Sequence, residues 1–513
     1  MRKKTLFLVL LVFFVSFSYA QITNPVEIQG VKAKLTVSAK GNVSGNLSGL
    51  PVTIDVLSYR ETQFQKILSL EEYLIINGKK ILPEKKTDAY GNRFAAFTFN
   101  ETGDFEYVIN AVIETDYSGR SFQDFNLSRK ITGLEEFTVP TALVESNNAA
   151  IRTIAFTEFD SNSLLETLRE TTEWVHNYLE YDISFVGSNA SALTALGEKK
   201  GVCSQFSELS AAFLRAKNIP SRFAVGTVFS GDNWGNHAWL QAYNPNGGWM
   251  SLDPTYGEAG LVDGTHIAMG FFPDPSDAAD TAKLASTAKI NLGNKDINVG
   301  LIESKPFSGI IEITADNIEA EAMKWFDINF SVKNPNNGFV FSPLFVSVPK
   351  DFLSSAREKT LLLGPLEERN ISVGVFADSE LEENQFLRGS YRISAFSPKT
   401  EKELIVRSFL PQKIPAKLVL NEIVPLIREN NLVIEIELEN FGTETAEIDF
   451  FVESAVTSLK KKETLNGLEK KRFAITIGNY LNESYLLGIK GPGIDFEKEI
   501  IPKEEILVPE IVP

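Results

Sequence analysis

Asn236-His237-Ala238-Trp239-Leu240-Gln241-Ala242-Tyr243 is followed by Asn244-Pro245-Asn246-Gly247 and then by Gly248-Trp249-Met250-Ser251-Leu252-Asp253-Pro254-Thr255. Two runs with strand composition flank a connection rich in Asn, Pro and Gly, which is the signature of a β-hairpin. Pairing Tyr243 with Trp249 sets Gln241 opposite Ser251 and Trp239 opposite Asp253. His237 then becomes the diagonal neighbour of Asp253 on the same face, about 7–8 Å away at the backbone. An imidazole and a carboxylate at that spacing suit a general base and the acid that orients it.

Upstream, Lys200-Gly201-Val202-Cys203-Ser204-Gln205-Phe206 precedes apolar positions Leu209, Phe213 and Leu214 at helical spacing. The pattern predicts a helix that starts near Cys203 and ends before Asn218-Ile219-Pro220. A thiol at a helix start faces the positive end of the macrodipole, which favours thiolate, the nucleophilic form. The competing reading makes Cys203 a small buried apolar residue. It is the single cysteine of 513 residues, so an intrachain disulfide and any multi-Cys metal or iron–sulfur centre are excluded. All three histidines, His176, His237 and His266, fall in the same block.

Working outward, Leu164, Leu165, Leu168, Thr172, Val175 and Leu179 recur at helical spacing, with Ser161 or Ser163 as N-cap. Strand patterns follow at Arg222–Val228 and through the hairpin, which makes an α+β block. From Pro25 to about Pro140 the sequence alternates in β fashion, with turns at Asn77-Gly78 and Tyr90-Gly91-Asn92, and predicts a β-sandwich. After about residue 305 strand patterns return in two sets. Asp327 to Asn334 before Asn337-Gly338 resembles Val433 to Asn440 before Gly442, which suggests two tandem β-sandwich (Ig-like) domains. The expected organisation is a signal peptide at 1–20, an N-terminal β-sandwich at 21–142, an α+β core at 143–303, and β-sandwiches at 304–412 and 413–513.

Gly201-Val202-Cys203, Asn236-His237-Ala238-Trp239, and Gly248-Trp249 with Leu252-Asp253-Pro254-Thr255 together resemble the transglutaminase-like superfamily, whose core is similar to that of papain. The resemblance covers roughly 160–275 and includes Asn218-Ile219-Pro220-Ser221-Arg222 between helix and strand. It implies that Cys203, His237 and Asp253 are a Cys-His-Asp triad for thioester acyl transfer on amides, as a cysteine protease or acyltransferase. The backbone N–H of Cys203 is one oxyanion donor by position. Where cross-linking members place an upstream Trp as second donor, the comparable loop offers Tyr181, and Trp174 falls on the preceding helix. Trp234, Trp239 and Trp249 are candidates for the lining of a substrate cleft or for the domain core. No cofactor and no metal are expected. His176 and His266 are expected to be structural, and Asp274, Asp277 and Asp280 to sit in a solvated loop.

The formal charge of −17 disfavours nucleic acid as a partner. The basic runs Lys460–Lys462 and Lys470–Arg472 are broken by Glu463 and Glu469 and read as solvated strand ends. Arg2-Lys3-Lys4, the apolar run Leu6–Phe17 and Ser18-Tyr19-Ala20 have the order of a secretory leader, with an uncleaved membrane anchor as the alternative. Sequons at Asn42, Asn46, Asn100, Asn126, Asn189, Asn329, Asn370 and Asn482 accord with an exported surface. The sequence therefore points to a secreted enzyme acting on a protein or peptide substrate, by hydrolysis or cross-linking. The alternative is a catalytically inactive module of a cell-surface binding or structural protein, associated with the surface through its β-sandwiches.

Overall fold

In the computed structural model the described residues are 24–118, 121–231, 233–285, 287–350, 352–354, 359–378, 381, 385–408, 415–428, 430–467, 469–478 and 483–500. The leader expected at Met1–Ala20 and the sequon at Asn482 lie outside them. No helix among the described residues is long and apolar enough to cross a membrane. The chain divides into two compact units, one drawn from 1–118, 223–238 and 262–308, the other from 119–222, 239–261 and 309–513.

Alternation of buried and exposed residues builds the first unit. The strand Ile28–Gly45 pairs antiparallel with Gly103–Thr115, setting Val37 opposite Ile109. Gln65–Ile76 pairs on the far side of Gly103–Thr115. A second sheet orders Thr281–Lys283, Val52–Ser58, Arg93–Phe99 and Glu84–Thr87. Leu35, Val37, Val56, Phe97 and Ile109 are fully buried in the shared core. Asn77 and Gly78 both take positive φ (50° and 77°) between Gln65–Ile76 and Lys79–Ile81, as the expected tight turn requires.

The chain returns to this sandwich late. Ala288–Leu292 and Asp296–Pro306 both pair with Ile28–Gly45, although sequence pattern grouped most of that stretch with the α+β block. The physical reason is the 18-residue length of Ile28–Gly45: its edge accepts two short strands end to end. In the acidic segment before them Asp277 is exposed, as expected of a solvated loop, whereas Asp274 is buried and Asp280 is tied into the sandwich. Asp280 accepts from the Tyr107 hydroxyl at 2.8 Å and the Leu57 amide at 3.1 Å, and pairs with Lys295 at 2.7 Å.

The second unit contains the helices α1 (Ala149–Thr157), α2 (Leu164–Tyr178), α3 (Ala192–Glu198) and α4 (Cys203–Ala216). Ser163 caps α2, its hydroxyl accepting from the Glu166 amide at 3.0 Å, an interaction of about 1 kcal/mol. Trp174 packs among Phe159, Tyr178 and Phe213, with ring centroids 4.3–6.2 Å apart, and belongs to the core. Arg215, 2% exposed, is satisfied by the Ser221 and Val139 carbonyls and the Ser221 hydroxyl.

The two C-terminal strand sets of this unit use one device twice. Asn334 and Asn440 are both fully buried. The Asn334 amide donates to the carbonyls of Gly338 and Gly364, and the Asn440 amide donates to those of Glu444, Leu465 and Asn466. Their backbone amides donate to Glu367 and Glu469 respectively, both at 2.9 Å. The similarity read between the two stretches thus resolves to one residue with one structural role. Lys470–Arg472 opens the strand Lys470–Ile477 on its exposed end, as expected, with Lys470 and Arg472 paired to Glu437 and Glu422, whereas Lys460–Lys462 lies within the strand Ser458–Leu465 rather than at its end.

Candidate active site

Cys203 is the first residue of α4 and is partly exposed. Its approach is fixed by a short parallel ladder in which Glu180 pairs with Lys200 and Tyr181 with Gly201. The Asp182 amide donates to the Gly201 carbonyl at 2.9 Å, holding the loop of Tyr181 against the strand that enters the helix. Gln205, 1% exposed, bends back so that its Oε1 accepts from the Val202 amide at 3.2 Å and its Nε2 donates to the Ala190 carbonyl at 3.1 Å. This is the N3-to-N-cap half of a capping box. A Cβ on residue 201 would lie 2.5 Å from that of Gln205, so the fold wants glycine there. Gln205 was legible as the third helical residue, yet sequence reasoning passed it over.

The hairpin has the expected register: Tyr243 pairs with Trp249, Gln241 with Ser251 and Leu240 with Leu252. Asp253 is fully buried, and its Oδ1 accepts from the Thr255 amide at 2.8 Å. The loop beyond it is tied to α2, because His176 Nδ1 lies 3.2 Å and 3.1 Å from the carbonyl oxygens of Pro254 and Thr255. A carbonyl only accepts, so Nδ1 carries the proton and donates. His176 is structural, as expected, and its structural task is to hold the loop that follows Asp253.

Tyr181 is 52% exposed and its ring lies 6.2 Å from that of Phe206 in α4. Partial burial, then negative charge at Cys203 and at Asp253, hold its phenol above the ordinary tyrosine range. Tyr181 therefore lies within electrostatic reach of both Cys203 and Asp253. Ile183 and Val186 on the same loop are 77% and 69% exposed.

Trp239 departs from the cleft reading. It is 1% exposed, and a ring so enclosed packs the core rather than lining an open cleft. Trp249 is partly buried, with the Arg222 guanidinium 4.0 Å over its ring. In the first unit, Trp234 packs on Phe229 at 5.6 Å and against the sandwich core. His237, also of that unit, is 7% exposed, and its ring centroid lies 5.7 Å from that of the fully buried His266. Nothing in the spacing of the sequence announced that contact.

The helix that opens on Cys203 and the hairpin that carries the buried Asp253 both fall within a stretch that matches a known family model. Residues 153–254 match the transglutaminase-like superfamily. Among sequence relatives, an uncharacterized protein of Mycobacterium leprae is 25% identical over 246 residues, covering 43% of this chain and 84% of that one. An uncharacterized protein of Mycobacterium bovis is 26% identical over 187 residues, covering 34% of this chain. This chain spans 58% of the length of the Mycobacterium bovis relative. Among solved structures, a proposed cysteine protease from Cytophaga hutchinsonii is similar at 22% identity over 54% of this chain and 93% of that one, with a TM-score of 0.42. Red sea bream transglutaminase is 11% identical over 89% of this chain and 95% of its own, with a TM-score of 0.19.

Proposed function

We propose that this protein is a secreted cysteine enzyme that acts on protein or peptide amides by thioester acyl transfer. The observation that carries the proposal is the placement of the Cys203 thiol at the start of α4, just beyond the short ladder that pairs Tyr181 with Gly201. The hairpin register supports a role for His237 as well. Same-face positions on the strand Trp234–Asn244 alternate, so the seat before Trp239 belongs to His237.

In the proposed reaction the Cys203 sulfur attacks the amide carbonyl carbon, and His237 accepts the thiol proton. The negative oxygen that forms is stabilised by the Cys203 backbone N–H and the Tyr181 hydroxyl, which burial and nearby negative charge keep protonated as a donor. As the carbon–nitrogen bond breaks, His237 returns the proton to the leaving amine. Asp253 orients the imidazole and balances its positive charge. Water or a second amine then attacks the thioester carbon and His237 takes its proton; the carbon–sulfur bond breaks, and His237 returns that proton to the departing sulfur to restore the thiol. Ile183 and Val186 offer apolar contacts to solvent on the loop beside the thiol, which suits a polypeptide. The leader sequence supports action outside the cytoplasm, and the β-sandwiches supply surfaces for attachment.

Incubating the full chain with a glutamine-rich protein and a labelled amine tests this reading. Amine incorporation, or release of ammonia or peptide, that disappears in Cys203→Ala is the expected result. Absence of all three products, with Cys203 inert to thiol probes, would leave an inactive module instead.

A further inference from the structure

His266 is the one buried histidine that the proposed reaction leaves without a task, and it sits against the histidine the reaction needs. The two rings meet at 5.7 Å between centroids with 67° between planes, the edge-to-face arrangement. The His266 ring is held by Asp263 through Nδ1. Its Nδ1 lies 3.2 Å from the Asp263 carbonyl oxygen and 3.6 Å from Asp263 Oδ1, so Nδ1–H points at Asp263. Asp263 is itself 1% exposed and its Oδ1 accepts from the Thr265 amide at 2.7 Å.

The sandwich holds the same loop. The Gly264 amide donates to the Ile28 carbonyl at 2.6 Å, and the Thr115 hydroxyl donates to the Gly264 carbonyl. The Tyr117 hydroxyl donates to the His266 carbonyl at 3.1 Å, and the Tyr117 ring stacks on Phe64 at 4.7 Å. A ring so constrained can constrain its neighbour.

We propose that His266, held by Asp263 and by the N-terminal sandwich, is a positioning residue for His237. It sets the plane of the His237 imidazole and so holds that ring ready to accept the thiol proton. The N-terminal sandwich then has a part in the chemistry, since Ile28, Thr115 and Tyr117 fix the loop that carries His266. This inference rests on the triad reading above.

The test is the rate of Cys203 labelling by iodoacetamide at neutral pH in the full chain, in wild type, His237→Ala, His266→Phe and the double variant. His266→Phe is expected to slow labelling at least fivefold, and to slow it no further once His237 is alanine. Labelling of His266→Phe at the wild-type rate overturns the inference, as does an equal slowing in both backgrounds, which a merely structural role would give. If His237→Ala itself labels at the wild-type rate, the triad reading fails and this inference falls with it. If His237→Ala slows labelling and His266→Phe does not, only the inference falls. Should His266→Phe not fold, ring-labelled histidine in the wild-type protein decides by NMR. The His266 ring resonances are expected to move with the midpoint of His237, and resonances flat through that midpoint overturn the proposal.

Discussion

Tyr181 pairs in parallel with Gly201, two residues before Cys203, so the phenol is carried by one strand of a small ladder and the thiol by the helix that begins just beyond the other. Burial raises the Tyr181 pKa first, and the negative charges of Cys203 and Asp253 raise it further. Removing one of those charges lowers it again. In Cys203→Ala the tyrosinate absorbance attributable to Tyr181, isolated by difference against Tyr181→Phe, is expected to appear at lower pH than in wild type. An unchanged titration would separate the two side chains. Tyr181→Phe is further expected to slow product formation by roughly ten- to a hundredfold with little change in KM, as loss of an oxyanion donor does.

His176 ties α2 to the carbonyls of Pro254 and Thr255, just beyond Asp253. His176→Ala leaves two acceptors short of one donor and loosens the loop that follows the carboxylate. A loss of about 1 kcal/mol in denaturant unfolding is expected, with slower Cys203 labelling at neutral pH. His176→Ala labelling at the wild-type rate would show that this tether is not felt at the thiol.

Tyr107 offers a pH-dependent test of the first unit. Its hydroxyl donates to Asp280 at 2.8 Å, and burial, followed by the Asp280 charge and that hydrogen bond, raises its pKa. The folded state therefore keeps a proton that the unfolded chain gives up near pH ~10. The stabilisation is complete below that pH and is lost as pH rises past it. Tyr107→Phe is expected to cost about 2 kcal/mol at neutral pH, and the gap to wild type should close in alkaline solution. Unfolding midpoints measured across that range check both the cost and its sign.

Asn334 and Asn440 make equivalent predictions for the tandem strand sets. Asn440→Ala removes the donor shared by the carbonyls of Glu444, Leu465 and Asn466, all within the turn region it closes. Each buried acceptor left unpaired costs about 1–3 kcal/mol. A loss of about 3 kcal/mol is expected for Asn440→Ala and a similar one for Asn334→Ala, read by chemical denaturation. A small effect at one position and a large one at the other would break the proposed equivalence.

Much of this was written in local sequence. The 3.6-residue spacing from Leu164 onward pointed to α2 with Ser161 or Ser163 as its cap, of which Ser163 serves, and the Asn-Pro-Asn-Gly connection marked a hairpin whose assumed pairing of Tyr243 with Trp249 is the one observed. Cys203 opens its helix as its neighbours foretold. What escaped was non-local. The late strands Ala288–Leu292 and Asp296–Pro306 join a partner more than two hundred residues earlier, and strand pattern alone does not name a partner. The short helices α1 and α3 have too few turns to establish a period. Trp239 illustrates a different limit, because the same aromatic suits a cleft wall or a core, and only burial tells them apart. His266 was read as structural; its contact with His237 depends on how a loop is pinned to the sandwich, which residue spacing does not record.

The account depends above all on whether Cys203 is activated by its proposed partners. The direct measurement is the second-order rate of Cys203 labelling by iodoacetamide at neutral pH in wild type, His237→Ala and Asp253→Asn, each checked for intact folding. The account predicts that wild type labels at least tenfold faster than His237→Ala, with Asp253→Asn between them. Equal rates in all three folded proteins would contradict it.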